Sequence, residues 1–388
     1  RDNDAIEALI KSVNVFPYNW SAWRSLSELV INEKIFIYVK SKLLTHWLCD
    51  IFIAEVMVET TEFYNTNDII KYFNALQGKL SENQHILGQT ALVLYNLHKF
   101  DECIEIFSEL LVIDPYRIEL LDVYSNILYV KEKRKELSYL AHRCMELYKY
   151  RAETCCIVGN YYAMYGMHEK AILYFERSLQ LNSNFINAYI LMGHEYIEMR
   201  NETAAIECYR KSIDLNCRDY RGWYGLGQTY EILQMYCYAL FYYNKVCKLR
   251  PYDYRMWMAL ASCYQNLGNI AMSIKSYQRA ESIANKNNTA NKDVEYKLCI
   301  LQLAKLYHII GNVTECKKKY VKYTAFIALN KMLNDHEIEA FIKLAEICLN
   351  QNKLAAAMKY AQRILKFGQK GKETANRIIQ QIRLSSSG

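Results

Sequence analysis

The stretch RDYRGWYGLGQTYEIL, residues 218–233, has three glycines inside a segment of helical apolar spacing: Gly222, Gly225 and Gly227. Glycine costs about 1 kcal/mol relative to alanine in a helix interior, so these residues need a compensating role. A phosphate-binding glycine loop would follow a β-strand, but the preceding CYRKSIDLNC, residues 208–217, has helical spacing. The stretch therefore indicates glycines that let two helices approach closely.

A repeating pattern surrounds this stretch. The tetratricopeptide template of about 34 residues reads W-x2-L-G-x2-Y, then A-x3-F, then P. The matching residues are Trp223, Leu226, Gly227, Tyr230, Ala239, Tyr243 and Pro251, with tyrosine in place of phenylalanine. The pattern recurs one repeat ahead from Trp257 and one repeat behind from Tyr189, and a degenerate copy begins near Ile118. Each such unit is a pair of antiparallel helices.

The repeats predict an all-α protein, a tetratricopeptide solenoid in which antiparallel helix pairs stack into a right-handed superhelix. The first helix of each pair is expected to line a concave groove. The predicted divisions are partial, irregular repeats at 1–83, regular repeats at 84–285, a polar insertion at 286–296, further repeats at 297–384 and a disordered tail at 385–388.

Packing residues can be assigned from the repeat positions. The eighth residue of a unit lies where its two helices cross, so a small side chain is required there. Large residues at the fourth position fill the gap against the neighbouring unit. The predicted packing residues are Gly159, Gly193, Trp223, Gly227, Tyr230, Trp257 and Ala261. One unit alone cannot bury its apolar face, whereas stacked units can.

Composition narrows the function classes. The 388 residues carry a formal net charge of +7 without a block of like charge, so no nucleic-acid arm is expected. The 13 cysteines include no C-x-x-C pair, which favours free thiols in a reducing intracellular compartment over zinc binding. No window is long and apolar enough for a membrane span. The chain begins RDNDAIEALI without methionine and is expected to be a fragment. We expect no metal, cofactor, nucleic acid or membrane partner.

No catalytic constellation is found in the sequence. His194 and Glu198 lie one turn apart in HEYIE, but the second histidine of an H-E-x-x-H motif is missing. Neither a G-x-S-x-G nucleophile motif nor a phosphate-binding loop occurs. The sequence thus predicts a protein that is not an enzyme and has no catalytic or metal-binding residue.

Positions two, five, nine and twelve of each first helix are expected to face the groove. The residues assigned to partner binding are Glu198, next to a twelfth position, and, at the four positions themselves, Glu119, Asp122, Asn126, Tyr129, Glu153, Asn160, Asn187, His194, Arg221, Tyr224, Gln228 and Glu231. The ninth positions hold Asn126, Asn160, His194 and Gln228. This ladder of amide and imidazole groups suits the unpaired N–H and C=O groups of an extended peptide. The alternative, solvated side chains on a helix face, is equally open to the sequence.

A free-standing adaptor of the co-chaperone type is the competing hypothesis. Tetratricopeptide co-chaperones hold a terminal carboxylate with a lysine at position five and an asparagine at position nine. Position five here holds Asp122, Cys156, Ile190, Tyr224 and Met258. None of these residues is basic, so the sequence disfavours a carboxylate clamp.

Residues between the template positions are not demanded by the repeat, and they carry a family resemblance. The segments are DPYRIE (114–119), SNILYV (125–130), ELSYLAH (136–142), YRAETCCIVGNYY (150–162), MGHEYIEM (192–199) and RDYRGWYGLGQTYEIL. Together they resemble the family of subunit eight of the anaphase-promoting complex, also called the cell-division-cycle twenty-three family. The resemblance is strongest over residues 114–280.

The resemblance implies a non-catalytic scaffold subunit of a RING-type ubiquitin ligase that marks mitotic regulators for destruction. It implies binding to other subunits of that complex, a groove that receives a short basic motif of activator proteins, and a homodimer through amino-terminal repeats. Because the chain starts inside a repeat, part of that dimer region is expected to be missing. Location in the nucleus and cytoplasm is implied as well.

Overall fold

The computed structural model describes residues 2–30, 33–59, 66–79, 83–286, 294–327, 334–351, 353–367 and 371–386. Within these ranges the chain forms helices and no strand, which confirms the all-α prediction. The helices are α1 (Asp2–Val15), α2 (Trp20–Leu29), α3 (Glu33–Lys42), α4 (Trp47–Glu59), α5 (Thr66–Lys79), α6 (Gln84–Asn96), α7 (Phe100–Ile113), α8 (Leu121–Val130), α9 (Arg134–Leu147), α10 (Ala152–Met164), α11 (His168–Leu181), α12 (Ile186–Glu198), α13 (Glu202–Leu215), α14 (Tyr220–Ile232), α15 (Tyr236–Leu249), α16 (Tyr254–Asn266), α17 (Ile270–Lys286), α18 (Val294–Ile310), α19 (Val313–Ala325), α20 (Asp335–Asn350), α21 (Leu354–Phe367) and α22 (Lys372–Ser386).

Contacts divide the chain into two compact units, Arg1–Leu226 and Gly227–Gly388, with the boundary inside α14. In the first unit, α1–α6 pack around the buried side chains of Trp23 and Phe52, and α6–α10 form a further cluster. In the second unit, α16–α22 share an apolar core that includes Phe341. These helices bury their apolar stripes against neighbouring helices, as stacked pairs require.

The turn inside successive pairs has one recurring backbone conformation. Residues with positive φ occur at 98, 132, 166, 200, 234 and 268, a constant spacing of 34 positions. At Gly166, φ is +70°, and the N–H of Met167 bonds the Tyr162 carbonyl at 3.0 Å. This is the usual way for a helix to end on a left-handed residue. The constant spacing shows that the helix pairs keep one register over this part of the chain.

The three glycines of residues 218–233 contact two different helices. A Cβ on Gly225 would lie 2.5 Å from the Tyr209 ring of α13, and Gly222 is in similarly close contact with α13. A Cβ on Gly227 would lie 2.5 Å from the Tyr243 ring of α15. Because such distances are far below van der Waals contact, a side chain at Gly225 or Gly227 would have to displace an aromatic ring, and one at Gly222 would have to displace the Ser212 hydroxyl. The glycines serve close helix packing.

Two earlier pairs use the same contact. A Cβ on Gly193 would lie 2.6 Å from the Tyr209 ring, and one on Gly159 would overlap the Phe175 ring. Tyr209 is therefore held between a glycine of its own pair and Gly225 of the next first helix. The aromatic residue of the repeat template thus packs on the glycine of the template.

Tryptophans at the fourth position form a hydrogen bond that the repeat pattern did not indicate. The indole N–H of Trp23, Trp223 and Trp257 donates to the backbone carbonyl six residues earlier, at 2.7, 2.9 and 3.0 Å. Each bond ties a first helix to the turn before it. In the second unit, the predicted packing residues Tyr230 and Ala261 are both buried.

Two predicted divisions differ from the structure. α17 continues to Lys286 and α18 begins at Val294, so residues 286 and 294–296 of the predicted insertion are helical, while 287–293 lie outside the described residues. α22 continues to Ser386, so the predicted disordered tail begins with helical residues, while 387–388 lie outside the described part. Polar composition signalled a break in both places but did not locate the helix ends.

Candidate partner-binding groove

Two of the four predicted ladder residues bond to each other in the first unit. The Asn160 side-chain amide on α10 donates to Asn126 Oδ1 on α8 at 2.6 Å and to Ser125 Oγ at 2.8 Å. Asn126 and Asn160 are only 8% and 2% exposed. Buried amides need hydrogen-bond partners, and Asn126 and Asn160 find them in each other and in Ser125. They form a polar floor beneath the groove.

Asp122 belongs to the same floor. Its side chain is buried, and its Oδ2 accepts a hydrogen bond of 2.5 Å from the Asn187 amide, two helix pairs farther along the chain. Burial raises the pKa of Asp122, and the repulsion from Glu153 adds to this, whereas the bond from Asn187 and the charge of Arg221 oppose it. The Asp122–Asn187 bond therefore links α8 directly to α12.

Arg221 is the basic residue of this region. Its guanidinium grips Asp219 with two contacts, Nε to Oδ1 at 3.0 Å and the terminal nitrogen to Oδ2 at 2.7 Å. A paired contact of this kind fixes the direction of the side chain. The positive charge also acts on Asp122 and on His194. Arg221 thus stabilises the negative charge of the buried Asp122 without a direct ion pair to it.

His194 is held neutral. Loss of solvation among the surrounding groove atoms and the charge of Arg221 lower the pKa of His194 to about 4, although the residue is exposed to solvent. Its Nδ1 lies 2.8 Å from the Tyr209 hydroxyl. A neutral imidazole can accept a hydrogen bond from the hydroxyl at one nitrogen, and its other nitrogen carries an N–H that can donate to a partner.

The predicted groove residues of the first unit differ in solvent exposure. Glu119 was expected on a first helix, but α8 starts only at Leu121, and Glu119 lies in the preceding connection with its side chain 77% exposed. Glu198 and Tyr129 are also exposed. The half-buried members are Glu153, Asn187, Arg221 and Tyr224. The exposed residues that a partner in this groove meets first are therefore Glu119, Tyr129, His194 and Glu198.

Two predicted residues lie in the second unit. Gln228 on α14 is exposed. Glu231 on α14 is half-buried and accepts a hydrogen bond of 2.7 Å from the Tyr243 hydroxyl, and a longer one of 3.5 Å from the Asn266 amide. Gln228 is therefore accessible for binding, while Glu231 also joins its own pair to the next.

Sequence reasoning did not single out two residues that support the groove. Ser125 replaces the small apolar residue of the template, and its hydroxyl donates to the Asp122 carbonyl at 2.7 Å. Tyr209 replaces the template phenylalanine, and its hydroxyl reaches His194. In both cases the available signal was a hydroxyl at a position where the template expects none.

Neither metal nor membrane chemistry is indicated by the described residues. They contain no group of three or more His, Cys, Asp or Glu side chains that could hold a metal ion. None of the helices described is both long and apolar enough to cross a membrane. All 13 cysteines are free thiols, ten of them buried. Burial raises the pKa of Cys103 to about 12, for example, so such thiols are unreactive at neutral pH.

Two family models match parts of this chain. A family model described as "Anaphase promoting complex subunit 8 / Cdc23" matches residues 1–91. A tetratricopeptide repeat model matches residues 186–216, 220–253 and 254–287. The second match confirms the predicted tetratricopeptide fold.

Curated relatives carry the name of the same family. Anaphase-promoting complex subunit 8 of Dictyostelium discoideum is 46% identical over 382 residues, which is 98% of this chain and 62% of that protein. The Arabidopsis thaliana subunit 8 is 44% identical over 185 residues, 48% of this chain and 31% of that protein. The human cell division cycle protein 23 homolog is 38% identical over 144 residues, 37% of this chain and 24% of that protein. The chain thus spans at most about three-fifths of these relatives.

A solved structure shares the fold. It is titled "Crystal structure of APC/C hetero-tetramer Cut9-Hcn1" and superposes with a TM-score of 0.63 at 16% identity, covering 98% of this chain and 73% of that one. At this identity the likeness concerns the arrangement of helices alone.

Proposed function

We propose that the chain belongs to the anaphase-promoting complex subunit 8 / Cdc23 family, which it resembles in a family model and in curated relatives, and that it is a non-catalytic scaffold subunit of an anaphase-promoting complex, a cell-cycle ubiquitin ligase. Its groove holds extended segments of other subunits and basic motifs of activator proteins. This function is exercised in the nucleus and cytoplasm. The single observation that carries the proposal is 46% identity to a subunit 8 over 98% of the chain.

The groove geometry supports binding of a basic segment. The exposed carboxylate of Glu198 is accessible to arginines, and that of Glu119 is exposed as well, although it contacts Arg117 at 3.4 Å, whereas Asp122 is occupied by Asn187. The free nitrogen of neutral His194 can bond a peptide backbone group. Exposed ion pairs contribute about 0–1 kcal/mol each. Affinity would therefore come from several weak contacts along an extended chain.

An exposed aromatic cluster in the first unit supports the homodimer. The rings of Phe16 and Tyr18 lie 6.0 Å apart, Tyr18 and His46 5.5 Å, and His46 and Trp47 5.7 Å. Phe16, Tyr18 and Trp47 are all exposed. A continuous aromatic surface of this kind commonly marks a protein interface, so we assign it to self-association.

The groove proposal is tested with a synthetic peptide that carries two arginines and with charge reversal. Glu119→Lys combined with Glu198→Lys should weaken peptide binding roughly tenfold, since each lost pair costs up to about 1 kcal/mol. The matched control reverses two exposed carboxylates on second helices, Glu146→Lys and Glu169→Lys. Fluorescence anisotropy measures both. Equal weakening in the control would contradict a groove site.

The scaffold proposal is tested by co-expressing the full chain with the other subunits of its own complex. Mass spectrometry of the purified chain should recover those subunits, and sedimentation of the same preparation reports whether the chain is dimeric. Recovery of none of them would reject the scaffold role. Binding of acidic C-terminal chaperone peptides instead would support the adaptor hypothesis. That hypothesis is disfavoured because position five of the repeats holds non-basic residues such as Asp122 and Cys156.

A further inference from the structure

An exposed surface away from the groove lies between the α9–α10 connection and α11. Tyr150, in the connection, is 71% exposed, and Leu173, on α11, is 63% exposed. Leu173 helps to line an open pocket of about 300 Å³ together with Tyr174, Arg177 and Gln180. Large apolar side chains gathered around a pocket are more informative than single exposed ones, because they mark interaction sites.

Two cations flank Tyr150. Arg177 lies 6.0 Å from the centre of the Tyr150 ring, and Lys149 Nζ lies 5.8 Å from it. Among the described residues, neither cation has a carboxylate within ion-pair distance. Their contacts are with the ring face, a weak interaction at exposed sites. Both positive charges are therefore available to an anionic group.

The pocket has a positive and a negative side. Glu176 also lines it, but its charge acts on Tyr196 and Cys208 of the following helix pair. Arg177, in contrast, acts on Tyr174 and Cys155. Because Arg177 and Lys149 lie 6.0 and 5.8 Å from the Tyr150 ring, the positive charge is concentrated near Tyr150.

We propose that this surface docks a short acidic segment of another protein. We name it the Tyr150 patch and define it as Lys149, Tyr150, Leu173, Tyr174, Arg177 and Gln180. Carboxylates of the segment pair with Arg177 and Lys149, and an apolar side chain of the segment packs against Leu173 and Tyr174 in the pocket. The patch would give the chain a second attachment point that does not compete with the groove.

Charge complementarity favours this occupant over two others. A nucleic acid is a continuous polyanion and binds best along an extended row of cations, whereas the acidic Glu176 also lines this pocket. A second copy of this chain, joined symmetrically through the same patch, would bring like charges together, because a two-fold interface places each residue near its own copy. A short acidic segment meets neither obstacle.

The test uses the full chain and three fluorescent probes. The first is an octapeptide of glutamates around a central leucine, the second replaces the glutamates with lysines, and the third is a single-stranded RNA oligonucleotide. We expect the acidic peptide to bind with a Kd below about 1 mM and to bind more weakly as salt rises. Replacing its leucine with alanine should weaken binding further.

Variants locate the site. Arg177→Glu should weaken binding of the acidic peptide about tenfold, and Arg177→Glu with Lys149→Glu should now prefer the lysine peptide. Arg177→Lys keeps the charge and should retain most of the binding. The control Lys245→Glu makes the same charge change on the exposed face of α15. Thermal melting equal to that of the parent shows that the variants fold.

Three results would overturn the proposal: no saturable binding of the acidic peptide, an equal loss in Lys245→Glu, or tighter binding of the RNA that Arg177→Glu abolishes. None of these results bears on the groove, because no residue of the Tyr150 patch lines it. The experiments can therefore contradict the Tyr150 patch proposal and the scaffold proposal independently of each other.

Discussion

The α8–α9 and α10–α11 pairs share one register, but their helices are held together differently. In α10–α11, Gly159 lies against the Phe175 ring, which is fully buried. In α8–α9, the corresponding positions hold Ser125 and Ala141, so no aromatic ring fills the crossing. The Ser125 hydroxyl, also fully buried, instead takes part in the hydrogen bonds of the groove floor.

The difference shows what an aromatic residue at the crossing prevents. Without it, α8 packs its own Tyr124 ring on Phe107 of the preceding pair, with ring centres 4.9 Å apart. The crossing itself is then free for polar groups. The most degenerate of the central repeats therefore supplies the buried polar floor, whereas the regular repeats are held by glycine–aromatic contacts.

The largest expected effect comes from overfilling a glycine crossing. Gly227→Leu, at the same kind of crossing as Gly159, should destabilise the chain by about 1–3 kcal/mol, and by more if the backbone has to move. The reason is that even a Cβ would lie 2.5 Å from the Tyr243 ring. Thermal melting measures the loss. Gly78→Leu is the matched control, because nothing lies within 4 Å of a Cβ on Gly78. Melting at the parental temperature in Gly227→Leu would contradict the crossing.

A comparable or smaller effect is expected at the polar crossing. Asn160→Ala leaves the buried Asn126 oxygen without its 2.6 Å donor, which should cost about 1–3 kcal/mol. Chemical denaturation followed by circular dichroism measures the difference. Asn184→Ala removes an exposed asparagine and serves as the control. If both variants unfolded alike, the polar floor would not contribute to stability.

The smallest expected effect is a pH dependence of the free energy of unfolding that is specific to the α8–α9 pair. The native pKa of Asp122 is raised by burial and by Glu153, against the opposing effects of Asn187 and Arg221. The native state thus binds this proton more tightly than the unfolded state, so this contribution to stability declines as pH rises from the usual aspartate range through the raised pKa.

Asp122→Asn keeps an acceptor for Asn187 and removes the titration. The unfolding free energy of Asp122→Asn should therefore increase relative to that of the parent as the pH rises from the usual aspartate range through the raised pKa. The glycine–aromatic crossing of α10–α11 contains no titratable side chain, so Gly159→Ala should shift stability equally at all pH values in the same window. A parent and an Asp122→Asn variant with parallel pH curves would disprove the raised pKa.

Much of the fold was predictable because it is local. The spacing of Trp223, Gly227 and Tyr243 follows from how two helices of one pair cross, and the structure places Gly159, Gly193 and Gly227 at such crossings. The positive-φ turns share this local origin, although only some of them contain glycine. The candidate groove residues were harder to judge. Periodicity chose the helix face but could not tell that Asn126 and Asn160 bond to each other or that Glu119 precedes its helix.

By itself, the sequence determined the helix-pair register, the close-packing role of the glycines and the family resemblance, because each rests on residues within one repeat or on contiguous segments. Only the tertiary structure decided which groove residues are available. Asp122 and Asn187 are 65 positions apart, and their bond of 2.5 Å depends on how successive pairs wind about one another. That winding sums small rotations at several helix interfaces, so no single stretch of sequence encodes it.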